Sequence, residues 1–224
     1  MGDVTGLFRF EHVGVRFGDI TVLDDVDVTL PDGGVTVLAG PSGAGKSTML
    51  RLCNRLTLPT HGRVRFRGDD VAGLDPLALR RRVGMVFQRP TLFDGTVLEN
   101  LRVADPAMSG DGAIAALGHV GLPAELLERA ARDLSGGEAQ RACLARTLAT
   151  KPSVLLMDEP TAMLDIDNAV LLERLARRLV RDDDVAVVWV SHDEAQIRRL
   201  ADWVVRVEAG RVLGSARCEP EGRT

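Results

Sequence analysis

The sequence predicts an α/β fold with a mostly parallel sheet, to which an N-terminal antiparallel β segment and an inserted α-helical segment are added. Short apolar runs alternate with segments of helical periodicity in both halves of the chain, as is typical of parallel sheets. The first thirty residues instead alternate between apolar and polar side chains, as antiparallel strands do. Residues 89–138 show helical periodicity broken by glycine and proline, so we expect them to interrupt the α/β alternation.

The elements of the first half follow from short local patterns. The stretches FRFEHVGVRF and VDVTL predict strands joined at a Gly-Asp turn. The apolar stretch GVTVLAG predicts a buried strand that leads into a glycine-rich loop and a helix with Leu50, Cys53 and Leu56 on one face. GRVRFRGDDV predicts a strand and a turn, Asp75 followed by Pro76 marks a helix start, and VGMVFQ predicts another strand.

The second half begins with helical pieces, the first of them marked by a capping box of Thr96 and Glu99. The alternation then returns with a helix to about Thr150, the strands SVLLMDE and VAVVWVSH, a helix between them, and a helix from Asp193. The hairpin WVVRVEAGRVLG follows. We therefore expect one domain over residues 1–224, with a nucleotide-binding core of residues 1–88 and 139–214, a helical subdomain of residues 89–138 and a polar tail of residues 215–224.

Composition narrows the class of protein. The chain has 224 residues with 45% hydrophobic and 27% charged side chains, enough for one large domain. The net charge of −4 argues against a surface that binds nucleic acid. No apolar run approaches the roughly 18 residues that span a bilayer, and the N-terminus lacks the apolar stretch of a signal peptide. Three widely spaced cysteines favour a reducing cytosol over a disulfide or zinc framework.

The stretch GPSGAGKST matches the phosphate-binding loop (P-loop) pattern G-x-x-x-x-G-K-[ST] from Gly40 to Ser47. Glycines permit a tight loop whose backbone N–H groups surround phosphate oxygens, and the following helix adds the positive end of its dipole. Lys46 is expected to reach the β- and γ-phosphates, and Ser47 to ligate Mg²⁺. Lys46 is one of two lysines among 28 basic residues, which favours a functional role over a glycine turn without a ligand.

Polar side chains follow the apolar strands of the predicted sheet. Asp158 and Glu159 end SVLLMDE, at the rim where open α/β sheets bind ligands, so Asp158 suits Mg²⁺ and Glu159 suits activation of a water. His192 ends a second apolar strand, although a lone histidine is more often structural and the neighbouring Ser191 could begin a capping box with residue 194. Gln88 ends VGMVFQ in the same manner, with a weaker signal.

The stretch LSGGEAQR combines a helix start with an unfavourable composition. Ser135 and Glu138 form a capping box, yet Gly136 and Gly137 fill the first turn, and glycine costs roughly 1 kcal/mol relative to alanine within a helix. A backbone without side chains at a helix start can approach an anion closely. A capped helix with small residues for packing explains the serine and the glutamate but not the glycine pair. We therefore interpret LSGGE as a second phosphate-binding element.

These motifs resemble the ATP-binding subunits of ABC transporters over about residues 8–214. GPSGAGKST, Gln88, LSGGEAQR, LLMDEP, the Leu-Asp pair at 164–165 and SHD occur in the order of that family. The resemblance implies an ABC-type P-loop NTPase that binds ATP and Mg²⁺. It also implies a homodimer in which LSGGE of one copy closes on the ATP held by the P-loop of the other. The chain departs from the family at Ala162 and Met163, where a serine-alanine pair is common.

The resemblance also assigns roles to residues. Phe17 is implied to stack on adenine, Gln88 to contact Mg²⁺ and water, and His192 to sense the γ-phosphate. The implied catalytic residues are Lys46, Gln88, Glu159 and His192, and the implied metal ligands are Ser47, Gln88 and Asp158. The implied nucleotide-binding residues are Phe17, Gly40, Pro41, Ser42, Gly43, Ala44, Gly45, Lys46, Ser47, Thr48, Ser135, Gly136, Gly137, Glu138 and Asp165.

The resemblance implies a separate integral membrane subunit as the partner, and no nucleic acid. The segment RPTLFDGTVLENL would face that subunit, with Phe93 either seated in a groove of the partner or packed within its own subdomain. The chain would then lie on the cytoplasmic face of the membrane as a peripheral ATPase. Within the family it looks most like small bacterial ATPases of iron or metal export. A phosphate or amino-acid importer and an ATPase outside transport remain alternatives.

Overall fold

The computed structural model describes residues 6–218, which form two sheets with helices on the larger one. The strands are, in chain order, β1 (Gly6–Phe17), β2 (Ile20–Pro31), β3 (Val35–Ala39), β4 (His61–Phe66), β5 (Asp69–Asp70), β6 (Val83–Val86), β7 (Val154–Asp158), β8 (Ala186–Ser191), β9 (Trp203–Glu208) and β10 (Arg211–Arg217). The helices are α1 (Lys46–Cys53), α2 (Pro76–Arg82), α3 (Val97–Ala104), α4 (Gly110–His119), α5 (Gly136–Leu148), α6 (Ile166–Asp182) and α7 (Glu194–Leu200). Short 3₁₀ turns lie at Val71–Gly73, Ala124–Leu126 and Ala131–Asp133.

The two sheets confirm the expected α/β class with an added antiparallel part. The smaller sheet has the strand order β2-β1-β4-β5 and is antiparallel throughout. The larger sheet has the order β10-β9-β3-β8-β7-β6, and only the β9–β10 hairpin in it is antiparallel. Strands β3, β6, β7 and β8 are therefore all parallel, so their carboxyl ends meet at one edge.

The larger sheet is buried on both faces. Alternate residues of β3 illustrate this, because Val37 packs with helices α3 to α7 while Leu38 packs with α1 and the smaller sheet. Both side chains are fully buried. Strands covered on two faces are apolar throughout rather than alternating, which is why SVLLMDE and VAVVWVSH were recognisable in the sequence.

Helices α3 and α4 lie in the segment expected to be helical. Their buried residues Leu101 and Leu117 join the same apolar cluster as Leu144 of α5 and Leu155 of β7. The helical segment thus packs on one face of the larger sheet. Helix α5 begins at Gly136 and continues across the proposed boundary between residues 138 and 139, and the division of the chain into core and subdomain stays a prediction.

Helix starts agree with the sequence in four places. Asp75 caps α2, Thr96 caps α3 and Ser135 caps α5, the last two in complete capping boxes. The helix expected from Asp193 also begins there, and the alternative of a capping box from Ser191 does not form. Asp193 caps α7 instead, because its carboxylate accepts hydrogen bonds from two backbone N–H groups of the first turn, while Glu194 pairs with an arginine of β9.

Two element ends also differ from expectation. Helix α1 stops at Cys53, because Arg55 turns into the left-handed region at φ 56° and the Leu56 N–H bonds back to the Arg51 carbonyl. Leu56 is therefore outside the helix and 43% exposed. Strand β10 continues to Arg217, so residues 215–217 of the expected polar tail pair with β9, and the rest of that tail beyond residue 218 lies outside the described residues.

An edge strand needs no apolar pattern when its side chains face water, and those of β10 are mostly exposed. The sequence therefore contained no signal for its last three residues. Within residues 6–218, the helices are all too short or too polar to cross a bilayer.

Candidate active site

The predicted site residues gather at the edge where the parallel strands end. Gly40 follows β3, Asp158 ends β7 with Glu159 after it, and His192 follows β8. The strands are in register, since Ala39 pairs with Ser191, and Asp158 pairs with the penultimate residue of β8. Loops at the carboxyl edge of an open parallel sheet form its usual ligand site.

The loop between β3 and α1 is held by close backbone contacts. Gly40 has φ 150°, and a Cβ placed there would lie 1.9 Å from the Val207 carbonyl oxygen of β9. Gly45 has φ 100° and precedes α1, where a Cβ would lie 2.6 Å from a methyl carbon of Leu23. Both positions therefore require glycine. Ser42 and Gly43 between them are exposed, so the outer side of the loop is open to a ligand.

Lys46 is the buried cation of this loop, with 4% of its surface exposed. Its Nζ donates to the carbonyl oxygens of Gly40 and Pro41, both at 2.7 Å, and lies 3.9 Å from Glu159 Oε1. Burial lowers the pKa of Lys46, and the carboxylates of Glu159 and Asp158 oppose that shift. The two carbonyl bonds use two of the three ammonium protons, so one N–H remains for an anion.

Ser47 and Asp158 form a pair of oxygen ligands. The Ser47 hydroxyl donates to Asp158 Oδ1 at 2.6 Å, although the two residues lie 111 positions apart in the chain. Burial raises the pKa of Asp158, against the opposing effect of the Ser47 hydrogen bond. Hydroxyl and carboxylate oxygens are the donors that Mg²⁺ prefers, so this pair fits the magnesium ion implied by the sequence.

Glu159 lies between the lysine and the histidine. It has φ 43°, a left-handed value that is uncommon outside glycine and is found at functional sites. One carboxylate oxygen faces Lys46, and the other lies 3.5 Å from His192 Nδ1. The Glu159 side chain is 16% exposed and that of His192 is 56% exposed. A water molecule can therefore reach this carboxylate.

Gln88 and Phe17 lie at exposed positions around the same edge. Gln88 is two residues beyond β6, whose last residue pairs with Met157, directly before Asp158. Phe17 ends β1 with 57% of its surface exposed, at the turn of a hairpin that contacts the P-loop through Leu23. Neither position is in conflict with the role implied for it.

The two glycines of LSGGE differ in their surroundings. Gly136 is exposed, and a Cβ there would meet no atom within 4 Å. Gly137 is buried, and a Cβ there would lie 2.7 Å from Cγ and Oδ1 of Asn168. Packing within the chain thus accounts for Gly137, contrary to the expectation that packing explained neither glycine. An open backbone is left at Gly136 and at the exposed Ser135.

Asn168 ties this helix start to the loop after β7. Its Oδ1 accepts from Arg141 Nη1 at 2.7 Å, and its Nδ2 donates to Asp165 Oδ2 at 2.6 Å. Asp165 caps α6, accepting also from the Asn168 backbone N–H, and these bonds hold the pKa of Asp165 below its usual value. Asn168 and Arg141 were not singled out in the sequence, because their partners lie on another helix.

A second group that sequence analysis missed lies beneath His192. Gln196 of α7 is buried and donates to Thr161, two residues beyond Glu159. A cleft of about 150 Å³ between them is lined by Glu159, Thr161, His192 and Gln196 among others. Glutamine within a helix has no distinguishing local pattern, so this contact could not be predicted from the sequence.

The unequal glycines lead to a prediction on stability. Gly137→Ala should lower the free energy of unfolding by about 1–3 kcal/mol, because Asn168 cannot move aside without losing its bonds to Arg141 and Asp165. Gly136→Ala, the matched control, should not lower it and should raise it by up to about 1 kcal/mol, since its surroundings are open and alanine favours a helix over glycine. Urea denaturation of both variants measures this. Equal effects would contradict the packing role of Gly137.

Comparisons with known proteins identify the family of the chain. The sequence profile of the ABC transporter family matches residues 23–162. Protein STAR1 of rice is 45% identical over 86% of this chain, which spans 57% of that protein. The probable iron export ATP-binding protein FetA of Escherichia coli is 38% identical over 93% of this chain and 94% of its own length. The phosphate import ATP-binding protein PstB 3 of Natronomonas pharaonis is 41% identical over 86% of this chain and 74% of its own length.

A solved structure shows the same fold. It is a dimeric post-hydrolysis state of an ATP-binding cassette bound to ADP and phosphate, 30% identical, with a TM-score of 0.82 over 94% of this chain and 98% of that one. The family profile covers more than half of the chain, and Lys46, Asp158 and His192 lie at one edge of the matching fold. This chain belongs to the ABC transporter family, as an ATP-binding domain of that family.

Proposed function

We propose that this chain hydrolyses ATP with Mg²⁺ and drives a separate membrane-spanning subunit. One observation carries the proposal: the start of α1 and the ends of β7 and β8 meet at a single edge of the sheet, and they bring together Lys46, Ser47, Asp158, Glu159 and His192. A cation for phosphate, two oxygen ligands for a metal and a carboxylate open to water are the parts that phosphoryl transfer to water requires.

Each residue has a distinct part in the proposed reaction. The N–H groups of the P-loop and Lys46 bind the β- and γ-phosphates, while Ser47 and Asp158 would hold Mg²⁺, with Gln88 beside them. The metal when bound neutralises charge on the phosphate oxygens. Glu159 orients a water and accepts its proton as the γ-phosphoryl group is transferred, and His192 contacts that group. Phe17 stacks on adenine.

A second copy of the chain completes the site in this proposal. Gly136 and Ser135 present an open helix start whose N–H groups suit a phosphate, and the start is bonded through Arg141 and Asn168 to the loop after Glu159. Two copies arranged head to tail would close two ATP molecules between P-loops and LSGGE stretches. The solved relative is a dimer bound to ADP and phosphate, which supports dimer formation by this chain.

The exposed aromatic rings after β6 suit a membrane subunit. Phe87 is 43% and Phe93 is 50% exposed, and Arg146 lies over the Phe93 ring with its Cζ 4.8 Å from the ring centre. Asn100 fixes Phe93 by accepting from its N–H and donating to its carbonyl. The ring is therefore held at the surface and is only partly packed against its own subdomain. In this role the chain binds peripherally at the cytoplasmic face of the membrane.

For the transported substrate we propose iron or another metal ion, moved outward. The iron-export relative of E. coli, which is 38% identical, supports this proposal. Import of phosphate, for which another relative is named, is the competing function.

The catalytic assignment predicts separate effects on binding and turnover. Lys46→Ala should abolish detectable ATP binding, because the loop loses its only buried ammonium within the described residues. Glu159→Gln should retain ATP binding while hydrolysis falls by about 10²–10⁴-fold, since an amide cannot accept the proton of water. Nucleotide titration and phosphate release measure the two quantities. The control variant is Lys151→Ala, because Lys151 is the other lysine of the chain, is exposed and has no part in the proposed site.

Two results would contradict this assignment. Unchanged ATP affinity in Lys46→Ala would exclude the P-loop as the nucleotide site, and near-normal hydrolysis by Glu159→Gln would remove Glu159 from the reaction.

The export proposal is tested in cells that lack the chain. Such cells should contain more iron and grow poorly under metal or peroxide stress, with phosphate uptake unchanged, and the wild-type gene should restore them while Glu159→Gln should not. Metal content by elemental analysis and uptake of labelled phosphate measure the outcome. A defect in phosphate uptake with normal metal content would favour the importer instead.

A further inference from the structure

A chain of buried polar side chains lies beneath the reacting groups and takes no direct part in the proposed reaction. It links Thr161 in the loop after β7, Gln196 in α7, Glu173 in α6 and Trp189 in β8. Gln196 is 4% exposed, Glu173 is 6% exposed and Trp189 is fully buried. Polar groups removed from water to this degree cost free energy unless each is hydrogen-bonded, so their arrangement is informative.

Gln196 is the centre of this network. Its Nε2 donates to Thr161 Oγ1 and to Glu173 Oε1, both at 3.0 Å, and its Oε1 accepts from Trp189 Nε1 at 3.2 Å. The amide has only one orientation that satisfies these partners, because an indole N–H can only donate and a carboxylate can only accept. The side chain of Gln196 is thus fixed by three neighbours on three different elements.

Glu173 is itself held in place by a charged partner. Arg199 Nε donates to one carboxylate oxygen at 3.0 Å and Nη2 to the other at 2.8 Å, a paired contact with defined geometry. These two bonds orient the Glu173 carboxylate toward Gln196. The network thus ends at the buried Glu173 of α6, which is paired with the half-exposed Arg199 of α7.

The other end of the network reaches the loops that carry the reacting groups. Thr161 lies two residues after Glu159, and Gln196 lies four residues after His192. The backbone N–H of Gln196 also donates to Asp193, which caps α7 directly after His192. The bond between Gln196 and Thr161 therefore joins the two loops, on the wall of the cleft that both Glu159 and His192 line.

We infer that Gln196 is a positioning residue, which sets the separation of Glu159 and His192 by tying Thr161 to the first turn of α7. The inference rests on the proposed role of Glu159 in hydrolysis. The side chain of His192 is more than half exposed, so packing alone does not fix it, and Glu159 has a left-handed backbone that the surrounding loop must hold in place. Directional hydrogen bonds from a buried anchor supply that constraint, and misplacement of reacting groups by about 1 Å can cost 10²-fold in rate.

A purely structural role would give a different result from a positioning role. If the network only satisfies Trp189 and Glu173, its loss lowers the stability of the fold and leaves the turnover of folded protein unchanged. If it positions Glu159 and His192, turnover falls while ATP affinity is kept, because the P-loop has no contact with the network among the described hydrogen bonds. The ratio of the effects on kcat and on ATP affinity separates the two roles.

The test uses Gln196→Met, which keeps the length of the side chain and removes its hydrogen bonds, and Thr161→Val, which removes one bond at a less buried position. Both should lower kcat for ATP hydrolysis by about tenfold or more and leave the Kd for ATP within about twofold. Thr161→Ser, which keeps the hydroxyl, should restore kcat. Arg198→Gln, an exposed change on the same helix, is the matched control and should leave kcat unchanged.

The double variant Thr161→Val with Gln196→Met should be no slower than the more severe single variant, since both remove one shared contact. A normal kcat in the folded Thr161→Val variant would overturn the inference. This test remains valid if the Gln196→Met variant does not fold. Equal losses in Thr161→Ser and Thr161→Val would overturn it as well. Absence of hydrolysis in the wild-type chain would instead reject the proposed function, so the two failures are distinguishable.

Discussion

The Lys46 ammonium is almost completely removed from water, and the surrounding chain is arranged to keep it charged there. Two backbone carbonyls at 2.7 Å accept from it, and two carboxylates from the end of β7 lie on the same side. An isolated ammonium would be costly at such a position. The need to stabilise this buried charge explains why Gly40 and Gly45 bring the loop against β9 and β2. It also explains why Asp158 and Glu159 lie at the end of β7, which is two strands away from β3 in the same sheet.

In the proposed dimer, one copy of the chain holds only part of each ATP site. The exposed outer side of the P-loop at Ser42 and Gly43 is one part, and LSGGE offers its open backbone at Gly136 from the start of a different helix. Hydrogen bonds through Asn168 and Gln196 connect the loop after Glu159 to α5 on one side and to α7 on the other. In the proposed dimer, movement of LSGGE against ATP would reach Glu159 through these bonds. Asn168 and Gln196 would thus couple closure of the proposed dimer to the placement of the reacting groups.

Much of this arrangement could be predicted from the sequence where the determinants are local. The P-loop, the capping boxes at Thr96 and Ser135, and the buried strands ending at Asp158 and His192 depend on residues within a few positions of one another. Contacts across the fold were not predictable in this way. Gly137 needs Asn168 from another helix, and a local serine-glutamate pattern at residue 191 was overridden by Asp193, which also fits the cap.

The head-to-tail closure of two copies is the central claim, and disulfide trapping tests it directly. One protein carries Ser42→Cys in the P-loop and the other Ser135→Cys, both with Glu159→Gln to retain ATP and Cys218→Ser to remove the cysteine that is not buried. When the two are mixed under mild oxidation, a disulfide-linked heterodimer should form with ATP and not without nucleotide. Absence of that product with ATP bound, or its formation to the same extent without ATP, would contradict the account.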